Sequence, residues 1–345
     1  MEFNNTQNFL DHTNCLIIAE IGLAHEGSLG IAFKMIDKCY KCGVDAVKFQ
    51  THLAKYESST SEKFRTDSFI QDQSRFDYWD RTSFTKNEWL RLKNYTENLG
   101  LKFLSTPFSL EAAKMLDDIG IEFWKISSGD INNFPLLDFV KSTKKPVFIS
   151  TGMSDYDEIE KCVEFFKKSN TKLLIFQCTN SYPCPPELIG FDQIKRLKEL
   201  FQVETGLSDH SGEIASGIAA YVLGASAIEV HVTWDREYFG PDTSSSLTFN
   251  ELSTLVESIR FLQKGLNVKI NKNDLKVSHK DMRLNFMKGP YLNTPLKKGE
   301  IIKKEDLHYR KPNFGITVDK IDLILGKKLN RDLNEGEPVK PEDFD

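Results

Sequence analysis

Eight short apolar runs, most of them followed by an amphipathic stretch, set the strongest limit on what this chain can fold into. They are residues 15–22, 45–52, 101–108, 123–130, 146–152, 172–179, 203–209 and 227–233. Between the first two, residues 30–43 place apolar side chains every three or four positions, the helical period, and "LEAAKMLDDIG", "YDEIEKCVEFFKKS" and "EIASGIAAYVLGAS" repeat that pattern between later runs. Alternating strand and helix signals call for parallel strands joined by helical crossovers. Eight such units spread over about 250 residues have the size and rhythm of an α/β chain folded as a (β/α)8 TIM barrel. A doubly wound open sheet is the competing architecture, but no glycine-rich dinucleotide fingerprint follows the first run.

The barrel does not use the whole chain. Residues 53–86 form a long insertion after the second run, and in a barrel such a loop lies over the active-site mouth. From about residue 270 the sequence becomes rich in lysine and asparagine without a steady helical period. Three parts are expected: a catalytic barrel over 1–270, a linker over 271–284 and a small β-rich domain over 285–345. Within the last part "LKKGEIIKKEDL" and "LNEGEPVKPEDF" read as imperfect copies of one another.

Charge and composition exclude some partners. A net charge of -5 gives no general attraction to nucleic acid or to an anionic membrane surface. No apolar stretch reaches the roughly 18 residues a membrane span needs, and the opening "MEFNNTQNFLDHTNC" lacks a basic segment followed by an apolar run. A cytoplasmic protein is expected. The six cysteines are scattered, and the "CYKC" of Cys39 and Cys42 has no second pair to complete a zinc site, so they read as buried thiols.

In a barrel the chemistry sits at the carboxyl ends of the strands. Here nearly every strand ends in polar residues: Glu20 on the first; Lys48 and Gln50 on the second; Thr106 on the third; Lys125, Ser128 and Asp130 on the fourth. Ser150 ends the fifth, Asn180 and Tyr182 follow the sixth, Ser208 and His210 end the seventh, and Glu229 and His231 lie in the eighth. Lys48 and Lys125 with the hydroxyls of Thr106, Ser128, Ser150 and Ser208 suit a phosphate and a carboxylate, because charge-assisted donors converging there neutralise a costly dianion. A lysine Schiff base, as in a pyruvate lyase or aldolase, is the rival use of either lysine. His210 and His231 end neighbouring strands, close enough to share a divalent ion such as manganese or magnesium with open positions left over. In "FGPDTSS", Gly240 and Pro241 fix a turn that aims Asp242 at the mouth.

Taken in order, "AEIGLAHEGSLG", "DAVKFQTH", "FLSTPFS", "WKISSGD", "STGMS", "QCTNSYPCP", "GLSDHSG", "EVHVT" and "FGPD" resemble the sialic acid synthases over almost the whole chain. The tail, with "RKPNFGI" and "ILGKKL", is similar to the antifreeze-like (SAF) domain that these enzymes carry. The resemblance implies condensation of phosphoenolpyruvate with an N-acetylated hexose such as N-acetylmannosamine, giving a nine-carbon 2-keto acid and phosphate; the diacetamido sugars of legionaminic and pseudaminic acid are alternatives within the family. It implies a divalent ion on His210 and His231, manganese first and magnesium or cobalt after it. Phosphoenolpyruvate contacts fall on Lys48, Thr106, Lys125, Ser128, Ser150, Asn180 and Ser208, and sugar contacts on Glu20, Gln50, Tyr182 and Asp242. Asp130 is the candidate base for the attacking water. A domain-swapped homodimer is also implied, in which the tail domain of one chain brings an arginine to the sugar's acyl group. The chain departs from the family pattern in having Asp130 for a usual glutamate, Ala24 for an asparagine, Gln177 for a histidine and "RKPN" for "KRPG", so that Arg310 or Lys311 takes the arginine's place.

Overall fold

The computed structural model describes residues 14–64 and 71–344. The chain divides into two compact units, Met1–Asn267 and Val268–Asp345. The opening residues 1–13, read above for a leader, and residues 65–70 of the insertion lie outside the described residues.

All eight expected strands are present: β1 (Leu16–Gly22), β2 (Ala46–Thr51), β3 (Lys102–Pro107), β4 (Trp124–Ile126), β5 (Val147–Ser150), β6 (Leu173–Cys178), β7 (Glu204–Asp209) and β8 (Ala227–Thr233). Helices α1 (Leu29–Cys42), α2 (Ala54–Glu57), α3 (Arg75–Thr82), α4 (Lys86–Asn98), α5 (Leu110–Asp118), α6 (Phe134–Ser142), α7 (Tyr156–Lys167), α8 (Phe191–Phe201), α9 (Ile214–Val222) and α10 (Phe249–Leu266) alternate with them. Local signals set several helix starts: Thr85, Asp155 and Thr248 each accept from the third residue of the helix while Glu88, Glu158 and Glu251 bond back to the cap.

The strands pair in parallel in the order β3-β2-β1-β8-β7-β6-β5-β4, with β1 joining β8 to bring the two ends of the chain's barrel together. The ring is nearly closed. β3 and β4 share no ladder, because the expected fourth strand 123–130 is extended only over Trp124–Ile126 before a 3-10 turn at Ser128–Asp130. The ion pair of Lys102 with Glu122, at 2.8 Å, flanks that seam.

Side chains on a strand alternate between faces, and that alternation builds the site. On the inner face Leu16, Ile18, Ala46, Leu104, Phe123, Phe148, Leu174, Phe176 and Ala227 form one buried cluster. Two residues further along each strand come Glu20, Lys48, Thr106, Lys125, Ser150, Cys178 and Glu229. The interior therefore changes from apolar to polar along the barrel axis. The opposite faces, such as Ile17, Ala19 and Ile21 of β1, pack under the helices in a second and larger core.

The insertion is fastened to the first loop. Arg81 on α3 donates to Glu26 at 3.0 Å and to Asp72 at 2.8 and 2.9 Å, and Tyr78 donates to the same Glu26. Gly27 sits at φ +76°, and a Cβ there would lie 2.6 Å from the Arg81 carbonyl, so the close approach needs glycine. His25 belongs to this packing: it is fully buried, stacks on Phe84 at 4.5 Å and accepts from the Gly27 amide, while burial, with a smaller push from His52, lowers its pKa to about 3.

In the second unit, residues 271–284, expected as a linker, carry the helix α11 (Lys272–Ser278) and most of α12 (Lys280–Phe286). Strands β9 (Gly289–Leu292) and β10 (Leu307–Arg310) pair antiparallel. The two similar sequence stretches are structural copies offset by 37 positions: Leu296 and Leu333 exchange both backbone bonds, the Asn293 and Asn330 backbone amides donate to the carbonyls of Asp306 and Asp343, and Gly299 and Gly336 both have positive φ. Leu292 and Leu329, and Ile302 and Val339, are buried as matching pairs.

All six cysteines are free. Among the described residues no helix is long and apolar enough to cross a membrane.

Candidate active site

A cavity of about 580 Å³ opens at the carboxyl ends of the strands. It is lined by every barrel residue singled out above: Glu20, Lys48, Gln50, Thr106, Lys125, Ser128, Asp130, Ser150, Asn180, Tyr182, Ser208, His210, His231 and Asp242. Arg310 ends β10 in the second unit, and Lys311 follows it with its ammonium 5.7 Å from the Phe286 ring.

The floor of the cavity holds two ammonium groups and two carboxylates. Lys125 lies 2.8 Å from both oxygens of Glu229, and Lys48 lies 2.8 Å from Glu20 and 3.4 Å from Glu229. Gln50 donates to Glu20 at 3.0 Å, Ser208 to Glu229 at 3.0 Å, and Lys48 to Thr106 at 3.2 Å. Each lysine is therefore paired within the protein, and Glu20 has Lys48 and Gln50 as its partners. Both lysines are almost fully buried and Glu20 is wholly so, and charges that deep are sustained by partners at hand. Burial alone would raise the Glu229 carboxyl; the Lys125 and Lys48 ammoniums outweigh it and hold Glu229 well below the usual carboxylate range. Burial would lower Lys48, but Glu20 and Glu229 raise it above its ordinary value. Lys125 ends lower than usual, since burial and Lys48 act against the pull of Glu229.

One wall carries the imidazoles. Their ring centres are 5.4 Å apart. The Nδ1 of His210 donates to the Thr179 carbonyl at 2.9 Å, which leaves Nε2 with its lone pair toward the cavity, 3.2 Å from the Tyr182 hydroxyl. Burial first, and His231 second, lower the pKa of His210 to about 3, so it is neutral near pH 7. Asp242 stands 3.8 Å from Nδ1 of His231, nearer to the imidazoles than a purely sugar-facing residue would be. Two imidazole nitrogens beside a carboxylate and a phenol oxygen fit a divalent ion that keeps several positions for water and substrate. Among the described residues no group of three or more His, Cys, Asp or Glu side chains is arranged to hold a metal ion by itself.

The opposite wall is built from the ends of β4, β5 and β6. Asp130 accepts from Ser127 at 2.6 Å and from the Asn133 amide at 2.9 Å, so both oxygens are fixed. Ser128 receives the Gly152 amide at 3.1 Å and lies 3.3 Å from the Cys178 sulfur. Gly152 gives room here: a Cβ on it would lie 2.2 Å from Oδ1 of Asn180 and 2.7 Å from the sulfur. Gln177 points away, donating to the Ile189 carbonyl at 3.0 Å, so this departure from the family pattern does not touch the cavity.

The outer rim comes from the insertion. His52 lies between Trp79 and Phe108, with ring centres 3.9 and 4.2 Å away, and its Nδ1 meets Glu57 at 2.5 Å. Arg75 pairs with Glu62 at 3.1 Å and lies 4.8 Å over Trp79. Gly152, His52 and Arg75 were not singled out from sequence, and Glu229 was named at the end of the eighth strand without a role. Glu229 precedes His231 by two positions and His52 follows Gln50 by two, so strand alternation carried a signal for both; Arg75 sits in an aperiodic insertion that carried none.

Comparison with known proteins follows the geometry. Residues 35–271 match the model of the NeuB family and residues 291–345 that of the SAF domain. The chain is 33% identical to the N,N'-diacetyllegionaminic acid synthase of Campylobacter jejuni over 94% of this chain and 98% of that one. It is 33% identical to the human N-acetylneuraminate-9-phosphate synthase over 73% and 71% of the two chains. The crystal structure of the N-acetylneuraminic acid synthetase from Leptospira borgpetersenii, bound to citrate, aligns with a TM-score of 0.69 at 31% identity, covering 79% of this chain and 92% of that one.

Proposed function

The chain belongs to the NeuB family, a family of sugar acid synthases, and from that premise we propose that its barrel condenses phosphoenolpyruvate with an acetamido hexose. The observation that carries the reading is one cavity in which Lys48 and Lys125, the side chains of Thr106, Ser128, Ser150, Asn180 and Ser208, and the imidazoles of His210 and His231 converge. Phosphoenolpyruvate lies on the floor. Lys48 and Thr106 take its carboxylate, while Lys125, Ser128, Ser150, Asn180 and Ser208 surround its phosphate; the lysines turn part of their hydrogen bonding from Glu20 and Glu229 to the ligand. Glu20, Gln50 and Tyr182 bind hydroxyls of the hexose and hold its aldehyde above C3 of phosphoenolpyruvate.

The C3–aldehyde carbon bond forms, water adds to the cationic C2, and the C2–O bond to phosphate breaks. Asp130, with both oxygens oriented by Ser127 and Asn133, accepts the proton of that water. His210 and His231 would hold a divalent ion, which when bound would supply Lewis acidity to the condensation. A Schiff-base lyase gains no support from the geometry, since the Lys125 nitrogen is engaged by both Glu229 oxygens at 2.8 Å instead of standing open to a carbonyl.

The test is manganese-supported release of phosphate from phosphoenolpyruvate in the presence of N-acetylmannosamine and 2,4-diacetamido-6-deoxy hexoses. Stimulation by at least one hexose is expected; silence across the panel removes the reading. Within it, Gly152→Ala is expected to displace Asn180 and lower kcat/KM for phosphoenolpyruvate on the order of 10²-fold, the cost of misplacing a binding group by about 1 Å. Unchanged kinetics in a folded variant would mean that the Asn180 amide does not meet the phosphate.

A further inference from the structure

The charge inventory of the cavity separates its floor from its rim. On the floor, Lys48 and Lys125 face Glu20 and Glu229, two charges of each sign. Around the mouth, on the side of the insertion, the lining residues carry Glu57 and Glu62, and the one guanidinium there among the described residues, Arg75, is already paired with Glu62. The uncharged part of this rim is aromatic, the Trp79 and Phe108 rings on either side of His52.

On the condensation reading above, the aldehyde of the hexose must reach C3 of phosphoenolpyruvate on the floor, so the far end of the six-carbon chain points outward to the rim. We infer that this rim selects a hexose whose far end is uncharged, a free hydroxymethyl or a deoxy methyl group, and rejects the corresponding phosphate monoester. A dianion placed there would face an excess of carboxylates, and like charges juxtaposed across a binding surface cost several kcal/mol. It would gain an ion pair only by taking Arg75 from Glu62. A hydroxymethyl group, by contrast, carries no charge to be repelled, and a methyl group finds the edges of the aromatic stack. Phosphoenolpyruvate escapes the penalty because its charges sit among the ammonium and hydroxyl donors of the floor. Glu57 and Glu62 act here on choice of substrate, and neither touches the reacting atoms.

The experiment compares kcat/KM for N-acetylmannosamine and N-acetylmannosamine 6-phosphate, by phosphate release from phosphoenolpyruvate, in the full-length protein and in the Glu57→Gln, Glu62→Gln and doubly substituted proteins. The neutral sugar is expected to be favoured about 100-fold or more. The double variant should narrow that ratio about tenfold by raising the phosphate ester while leaving the neutral sugar near its original value, and added salt should narrow it in the wild type. A wild-type protein that prefers the phosphate ester overturns the inference while the condensation stands, and so does a ratio that neither variant nor salt moves. If neither sugar nor any other hexose elicits phosphate release, the condensation reading itself falls and the inference with it, an outcome distinguished by the silence of both arms.

Discussion

Glu229→Ala is expected to destabilise the barrel by about 3–5 kcal/mol and to abolish phosphate release. The side chain is nearly fully buried and serves three donors: both close contacts of the Lys125 ammonium, the more distant Lys48 and the Ser208 hydroxyl. Truncation leaves Lys125 either charged without a counterion or deprotonated, and each alternative costs stability. The melting temperature should fall by roughly 10 °C for a unit of this size. Activity is lost for a separate reason, since Lys125 no longer has a fixed position from which to meet a phosphate. A second substitution separates the two effects. Replacing the pair together, Glu229→Leu with Lys125→Met, removes both charges, so most of the lost stability should return while activity does not. If Glu229→Ala melts like the wild type, the pair is not the counterbalanced floor described above.

The same residues show where sequence reasoning succeeds and where it stops. Lys48, Lys125 and Glu229 were all visible as charges on apolar strands, and such charges are rare enough to mark a site. That they neutralise each other was not, because Lys125 and Glu229 are 104 residues apart and on strands that meet only across the barrel. Period-two alternation made the polar ring legible, since a residue two places beyond a buried inner side chain must face the same way. It could not show that the fourth strand stops at Ile126, because the hydrogen bonds that end a strand depend on the neighbour. The rim was the least legible part. Its geometry comes from stacking among His52, Trp79 and Phe108, residues brought together by an insertion with no period to read. In the tail, by contrast, the two similar stretches did mark a real internal copy, because equivalent turns need equivalent residues: Glu300 and Glu337 each accept the backbone amide three positions earlier.

His210→Ala and His231→Ala should each lower manganese-supported phosphate release on the order of 10³-fold, the loss that follows when several kcal/mol of Lewis-acid stabilisation are withdrawn. The Thr179 carbonyl takes the Nδ1 proton of His210 and so commits Nε2 to act as a donor of electrons toward the cavity. Burial keeps that ring neutral, which removes the competition between proton and ion that weakens histidine sites in acid. His231, 5.4 Å away between ring centres, supplies the second nitrogen, and Asp242 adds negative charge beside it. Neither imidazole is among the close partners of Lys48 or Lys125, so the variants should fold, and a melting temperature near that of the wild type is part of the expectation. Manganese affinity, followed by the paramagnetic signal of the free ion, gives a readout apart from turnover: each variant should bind at least about tenfold more weakly. Tyr182→Phe provides the contrast, since it removes only the hydroxyl 3.2 Å from Nε2 and should leave manganese affinity within a few-fold of the wild type while raising KM for the hexose. Variants of both histidines that bind manganese as well as the parent would place the ion elsewhere, and the pair of imidazoles would then have to be explained as hydrogen-bonding groups for the sugar.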